Sequence, residues 1–111
     1  MLNQLTSQAR ILVLEDDPEL RETLAELLEE EGYYVAAVGR GEEAVQRAAA
    51  ESFDLIVSDI RMDGMDGLEA IDRTRQLQPG MGSLVVSGYA SEHETLRATH
   101  LNVGGYLRKP F

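Results

Sequence analysis

RILVLEDDP, residues 10–18, contains a predicted strand and the predicted start of a helix, and the rest of the chain repeats these two kinds of element. Residues 11–14 are apolar at every position and lack a helical period, which is typical of a strand that is buried on both faces. Asp17 and Pro18 then supply an N-cap and a proline at the first helical position. A buried strand that runs directly into a helix is typical of a parallel α/β sheet.

The same pattern recurs to the end of the chain. Apolar runs that favour strands lie at residues 34–38, 55–58, 84–86 and 106–107, and helical patterns lie at 18–31, 42–51, 66–76 and 91–102. Helical crossovers between buried strands predict a parallel sheet with helices on both faces. A chain of 111 residues is too short for a closed barrel, so we expect a doubly wound, five-stranded parallel sheet with the strand order 2-1-3-4-5.

Composition excludes several classes of function. Twenty acidic residues against ten basic ones give a net charge of −10, which disfavours binding to nucleic acid or to an anionic membrane. The chain has no cysteine, so disulfides and thiolate metal sites are excluded. No apolar run is long enough to cross a bilayer, and the first residues lack the apolar core of a signal peptide. We therefore expect a cytoplasmic domain at residues 10–111, preceded by a polar arm at residues 1–9.

Polar residues follow the predicted strands at one edge of the sheet. Glu15 and Asp16 follow the first strand, Asp59 ends the third, Ser87 ends the fourth, and Lys109 follows the fifth. Strands one and three are neighbours in the expected order, so the three acids should converge on one pocket. Carboxylates that lie close together in one pocket repel each other unless a cation or a proton lies between them. Oxygen ligands without histidine or cysteine suit Mg²⁺.

The opposite rim of this pocket offers a hydroxyl group and an ammonium group, from Ser87 and Lys109. A hydroxyl donor, an ammonium group and a divalent cation around one carboxylate would enclose a phosphoryl group. Asp59 is therefore the candidate nucleophile, and its attack on an activated phosphorus would form a mixed anhydride.

At this point the chain resembles a response-regulator receiver domain from about Arg10 to Phe111. The resemblance rests on four stretches in the family's order and spacing: ILVLEDD, DLIVSDIRMDGMDGLE, VVSGYA and GYLRKPF. It implies a flavodoxin-like and CheY-like fold. It also implies that the domain belongs to a two-component response regulator or to a hybrid sensor kinase. Asp59 would accept a phosphoryl group, with Mg²⁺, from the phosphohistidine of a histidine kinase or of a histidine phosphotransfer protein. Catalysis would then be self-directed, as phosphotransfer and slow autodephosphorylation, and the domain would not be an enzyme.

The resemblance also assigns roles around the pocket. The metal would be bound by Asp59, by Asp16 directly, by Glu15 directly or through water, and by the backbone carbonyl of Arg61. The phosphoryl oxygens would be bound by three residues on the opposite rim, namely Ser87, Gly88 and Lys109.

A second group of implied roles concerns switching. Ser87 would move toward the phosphate and Tyr106 would turn inward, together with the predicted helix at 91–102. The Lys109–Pro110 peptide bond would be cis, an isomer that proline makes accessible. Arg61 and Tyr89 would influence the lifetime of the acyl phosphate.

The chain departs from the family's pattern in two ways that matter here. Asp63 stands where the family usually has proline, and the sequence stops at Phe111, where the family continues into a fifth helix. We expect a domain that was cut before this helix, with a possible output domain beyond it. A dimer is possible but is only weakly supported by the sequence.

Two other functions remain open. The first is a pseudo-receiver that keeps the fold and acts as an interaction module without phosphorylation, and the presence of every pocket residue disfavours it. The second is a Mg²⁺-dependent phosphohydrolase. It is disfavoured because Arg61, and not a second acid, stands two residues after Asp59.

A glycine motif in the second crossover matches a dinucleotide fingerprint. Gly39 and Gly41 follow a strand, and Ala44 stands at the third position of the motif. Glu42 and Glu43 would occupy the first helical turn, where a pyrophosphate would have to dock, so the charges oppose binding. We interpret the two glycines as residues that shape a tight turn.

Overall fold

The computed structural model describes residues 8–59, 66–87 and 105–108, and the side chains of Ser87 and of residues 105–108 are not described. The elements are β1 (Arg10–Leu14), α1 (Pro18–Glu30), β2 (Tyr34–Val38), α2 (Gly41–Ala50), β3 (Leu55–Asp59), α3 (Gly67–Leu77), β4 (Gly82–Ser87) and β5 (Gly105–Arg108). The predicted helix at 91–102 and residues 1–7 of the predicted arm lie outside the described residues. None of the described helices is long and apolar enough to cross a membrane.

The strands form one five-stranded sheet with the order β2-β1-β3-β4-β5. Every neighbouring pair is parallel. The predicted fold class and strand order are therefore confirmed. Leu14 at the end of β1 is paired with Ser58 in β3, so these two central strands end side by side.

One face of the sheet carries the larger core. Its strand side chains alternate with those of the other face, as the pleat of a strand requires. α2 and α3 cover this face, and the largest fully buried side chains in the cluster are Leu12, Leu14, Ile56, Leu68, Ile71 and Val85. Residues from both central strands are thus fixed by packing immediately before the chain reaches the acidic edge.

The other face is covered by α1 in the part of the chain that the structure describes. Leu24 and Leu28 pack on a smaller cluster formed by Ile11, Val13, Val57 and Val86. No residue of α1 is buried, and Leu27 is 54% exposed. This cover is therefore thinner than the cover on the first face.

Local signals place both ends of α1 where the sequence predicts them. Asp17 is the N-cap, and its Oδ1 accepts hydrogen bonds from the N–H groups of Glu19 at 3.0 Å and Leu20 at 3.4 Å. Pro18 opens the helix, where its missing N–H costs nothing. Gly32 follows the last turn with φ of +98°, a left-handed conformation that glycine adopts without strain. The helix is thereby fixed in length between β1 and β2.

A polar network closes the opposite edge of the sheet, at the amino ends of the strands. The Glu51 carboxylate accepts hydrogen bonds from Arg10 Nη2 at 2.8 Å, from Tyr34 Oη at 2.9 Å and from Arg47 Nε at 2.8 Å. The Arg10 guanidinium also lies over the Tyr34 ring, 4.1 Å from its centroid. The hydrogen bond from Tyr34 is the main cause that lowers the pKa of Glu51 below its ordinary value; burial opposes it, and the hydrogen bond and charge of Arg47 and the charge of Arg10 add to it.

Because of this network, we expect the stability of the fold to decrease at acidic pH. The pKa of Glu51 is lower in the folded than in the unfolded chain, so its contribution is present above the ordinary pKa of 4.5 and is lost as the pH falls through the lower folded-state pKa. We expect Glu51→Gln to lower the stability at pH 7 and to flatten its pH dependence below that value. Urea unfolding between pH 7 and pH 3 measures both effects. Glu26→Gln, at an exposed position of α1, is the control and should have a smaller effect; equal curves for the two variants would contradict the prediction.

Candidate functional site

Three acidic side chains meet where β1 and β3 end. Glu15 directly follows β1, Asp16 comes next, and Asp59 is the last residue of β3. One carboxylate oxygen from each of the three residues lies within 4.8 Å of those from the other two. The convergence predicted from the strand order is thus present in the structure, and we call Glu15, Asp16 and Asp59 the acidic cluster.

The acidic cluster has a buried floor and an open side. Glu15 is only 2% exposed and Asp59 9% exposed, whereas Asp16 is exposed. Two unit charges at about 4 Å repel by roughly 1 to 4 kcal/mol, depending on the dielectric around them. Three carboxylates in this space therefore favour a bound cation or proton. An all-oxygen donor set of this kind fits a hard divalent cation such as Mg²⁺.

The backbone on either side of Glu15 is held by hydrogen bonds. Its N–H donates to the carbonyl oxygen of Val38 at 3.1 Å. The N–H of Asp17 donates to Glu15 Oε2 at 3.1 Å, and Arg21 Nη1 donates to the Glu15 carbonyl oxygen at 3.0 Å. The backbone N–H, the backbone carbonyl and the side chain of Glu15 thus all form hydrogen bonds at the start of the acidic cluster.

Sequence reasoning did not identify Arg21 as a residue of this edge. It stands at the fourth position of α1, close to the positive end of the helix dipole, where a cationic side chain is unfavourable. A basic residue at such a position needs a specific partner, and this is the signal that could have identified it.

Close packing positions Asp59 from the other side. Gly67, the first residue of α3, is buried against the end of β3. A Cβ at Gly67 would overlap the carbonyl oxygen of Asp59 and would lie 2.6 Å from Ser58 Oγ. Ser58 Oγ in turn donates to the Asp59 carbonyl oxygen at 2.8 Å. The glycine is thus required for space, and sequence reasoning did not single it out.

The opposite rim is described only by its backbone. Ser87 ends β4 and is paired with Arg108, and Tyr106 is paired with Val85. The β4 and β5 ends therefore lie at the same edge of the sheet as the acidic cluster. The other residues predicted for the site, Arg61, Gly88, Tyr89, Lys109 and Pro110, lie outside the described residues.

The comparisons with known proteins agree on one family. The sequence model of the response regulator receiver domain matches residues 11–111. The transcriptional regulatory protein GlrR of Escherichia coli is 35% identical over 102 residues, which are 92% of this chain and 23% of GlrR. The chain thus spans about a quarter of the length of this curated relative.

Two solved structures are similar over nearly the whole chain. A response regulator from Burkholderia pseudomallei with a phosphorylated aspartic acid, calcium ion and citrate is 35% identical with a TM-score of 0.87, covering 94% of this chain and 61% of that one. The response regulator TrrA of Thermotoga maritima, in complex with Mg²⁺-BeF, is 33% identical with a TM-score of 0.83, covering 94% of this chain and 89% of that one.

The packing of Gly67 gives a stability prediction. Gly67→Ala should lower the free energy of unfolding by about 1 to 3 kcal/mol, because the added methyl group meets rigid backbone and not a flexible side chain. Gly80→Ala is the matched control, since a Cβ there has nothing within 4 Å. It should change the stability by no more than about 0.5 to 1 kcal/mol in either direction. Urea denaturation measures both, and a Gly67→Ala protein as stable as the wild type would disprove the close contact.

Proposed function

This chain belongs to the response regulator receiver domain family, and we propose that it is a phosphoacceptor domain in which Asp59 receives the phosphoryl group. The donor is the phosphohistidine of a histidine kinase or of a histidine phosphotransfer protein. The observation that carries the proposal is the acidic cluster, in which Asp59 ends a central strand with two further carboxylates within 4.8 Å.

The proposed reaction transfers the phosphoryl group from nitrogen to oxygen. A carboxylate oxygen of Asp59 attacks the phosphorus, the P–N bond of the phosphohistidine breaks, and the imidazole leaves with a proton. The product is a mixed anhydride on Asp59. Slow attack by water returns the carboxylate, so the domain acts on itself and does not turn over a separate substrate.

Glu15, Asp16 and Asp59 would hold Mg²⁺, together with the backbone carbonyl of Arg61. When bound, Mg²⁺ offsets the charge of the carboxylates and of the incoming phosphoryl oxygens. The chain's own contribution is to keep the three carboxylates close together. The packed ends of β1 and β3 and the hydrogen bond from the Asp17 N–H to Glu15 serve this purpose.

We propose that the phosphoryl group is sensed on the opposite rim. Ser87 and Lys109, with Gly88, would bind the phosphoryl oxygens, and Tyr106 would turn inward as Ser87 moves. The pairing of β4 with β5 supports this coupling, because it sets Val85, two residues before Ser87, beside Tyr106. Arg61 and Tyr89 would then screen the acyl phosphate from water.

The solved relatives support the same chemistry. The Burkholderia protein carries a phosphorylated aspartic acid with a calcium ion, and the Thermotoga protein carries Mg²⁺-BeF. GlrR is a transcriptional regulator, and we propose that here too an output domain or a partner protein reads the phosphorylation state. We place this signalling in the cytoplasm.

The direct test is an intact-mass spectrum after incubation with acetyl phosphate or phosphoramidate and Mg²⁺. We expect a gain of one phosphoryl group that disappears in Asp59→Asn and in the presence of a chelator. Asp72→Asn, which removes an exposed acid on α3, is the control and should be phosphorylated like the wild type.

The other outcomes separate the alternatives. A folded wild-type protein that binds Mg²⁺ and gains no mass would overturn the proposal in favour of a pseudo-receiver. A gain that survives in Asp59→Asn would place the acceptor elsewhere. Steady turnover of a small phosphate ester would indicate a phosphohydrolase.

Repulsion within the acidic cluster predicts effects of opposite sign with and without metal. Asp16→Asn removes one charge, so it should raise the urea midpoint in a chelator. The same change should weaken Mg²⁺ binding by about tenfold or more, and with it the stabilisation that the bound metal gives. Urea titrations with Mg²⁺ and with chelator measure both effects. A lower midpoint for Asp16→Asn in chelator would show that repulsion is not what the substitution relieves.

A further inference from the structure

Arg21 fills a slot beside the acidic cluster that exists because Gly39 has no side chain. A Cβ built on Gly39 would overlap Arg21 Nη1 and would lie 3.3 Å from Arg21 Cζ. Gly39 follows β2 and does not have a left-handed φ; Gly32 is the described glycine that does. Backbone conformation therefore does not require a glycine here. The guanidinium occupies the space that a Cβ at Gly39 would take, a role for this glycine in addition to its place in the turn.

The bond that Arg21 makes acts on the peptide group between two members of the acidic cluster. Its Nη1 donates to the Glu15 carbonyl oxygen at 3.0 Å, and this carbonyl belongs to the peptide that joins Glu15 to Asp16. Rotation of that peptide would move both carboxylates relative to Asp59. A hydrogen bond from a charged donor to a part-buried carbonyl resists this rotation more strongly than a neutral one.

We infer that Arg21 is a positioning residue for the divalent cation of the acidic cluster, and that Gly39 provides the slot in which it is held. This inference rests on the proposed function, since it concerns the same cation. Hydrogen bonds that orient metal ligands commonly change metal affinity by 10- to 100-fold when they are removed.

Charge alone predicts the opposite result. The guanidinium is positive, so its removal would tighten cation binding if repulsion were its only effect. If positioning dominates, its removal weakens binding. Gly39→Ala separates the two effects, because it displaces the guanidinium from the slot and keeps the charge on the chain.

The test is a calorimetric titration of Mg²⁺ into the wild type, Arg21→Ala, Gly39→Ala and the double variant. We expect each single variant to bind Mg²⁺ about tenfold more weakly or worse. The double variant should bind no more weakly than Arg21→Ala, because alanine at position 39 then has no guanidinium to displace. A merely structural role would lower the urea midpoint and leave the Mg²⁺ affinity of the folded protein unchanged.

Two variants elsewhere in the chain are the matched controls. Arg73→Ala removes an exposed guanidinium that is paired with Glu69 on α3, and Gly80→Ala adds a methyl group in open space. Both should keep the wild-type affinity within about twofold. If Arg21→Ala does not fold, Gly39→Ala and Arg21→Lys still test the inference on folded protein.

Each contrary result has a definite meaning. Unchanged or tighter binding in Arg21→Ala or in Gly39→Ala would overturn the inference while leaving the proposed function in place. Losses that add in the double variant would overturn the coupling through the slot. Wild-type protein that shows no binding beyond that of Asp59→Asn would overturn the proposed function, and this inference with it.

Discussion

The parallel pairing of β1 with β3 is the constraint on which the site depends. Leu14 is paired with Ser58, so the next residues of the two strands, Glu15 and Asp59, must stand side by side. Electrostatic repulsion works against that arrangement. The fully buried residues Leu12 and Ile56 hold the two strands in register, and a close-packed core resists such local repulsion better than an exposed loop would.

At the two edges of the sheet, carboxylates lie in opposite electrostatic surroundings. At the amino edge, Glu51 is surrounded by two arginines and a tyrosine, and its pKa is lowered. At the carboxyl edge, three carboxylates are gathered within 4.8 Å, with the Arg21 guanidinium directed at a backbone carbonyl. The first arrangement stabilises the fold without any ligand. The second leaves carboxylate oxygens close enough together to share a cation, which is what a binding site requires.

What the sequence predicts and what it misses follow from the range of the interactions. Buried strands, the Asp17 cap and the meeting of the acids follow from local patterns and from the rule that parallel strands end at one edge. Gly39 and Gly67 lie in close contact with residues of other elements, and the local sequence around each glycine does not indicate this contact. The apolar pattern predicts that β4 starts at Leu84, two residues late, because Gly82 and Ser83 have low strand propensity and are held in the sheet by pairing with β3.

Phosphorylation of Asp59, as proposed above, would increase the repulsion that already exists within the acidic cluster. A phosphoryl group carries about two negative charges in place of the single carboxylate charge, within a cluster of three acids. The repulsion grows with the added charge, so the modified state is stable only if cationic and hydrogen-bonding groups approach from elsewhere. The strands that carry the acids are fixed by the core, so in the proposed function the groups of the opposite rim would approach the phosphoryl group. In the proposed function, an acidic cluster held by the packed core would turn a local change of charge into a change of shape at the β4–β5 side of the sheet.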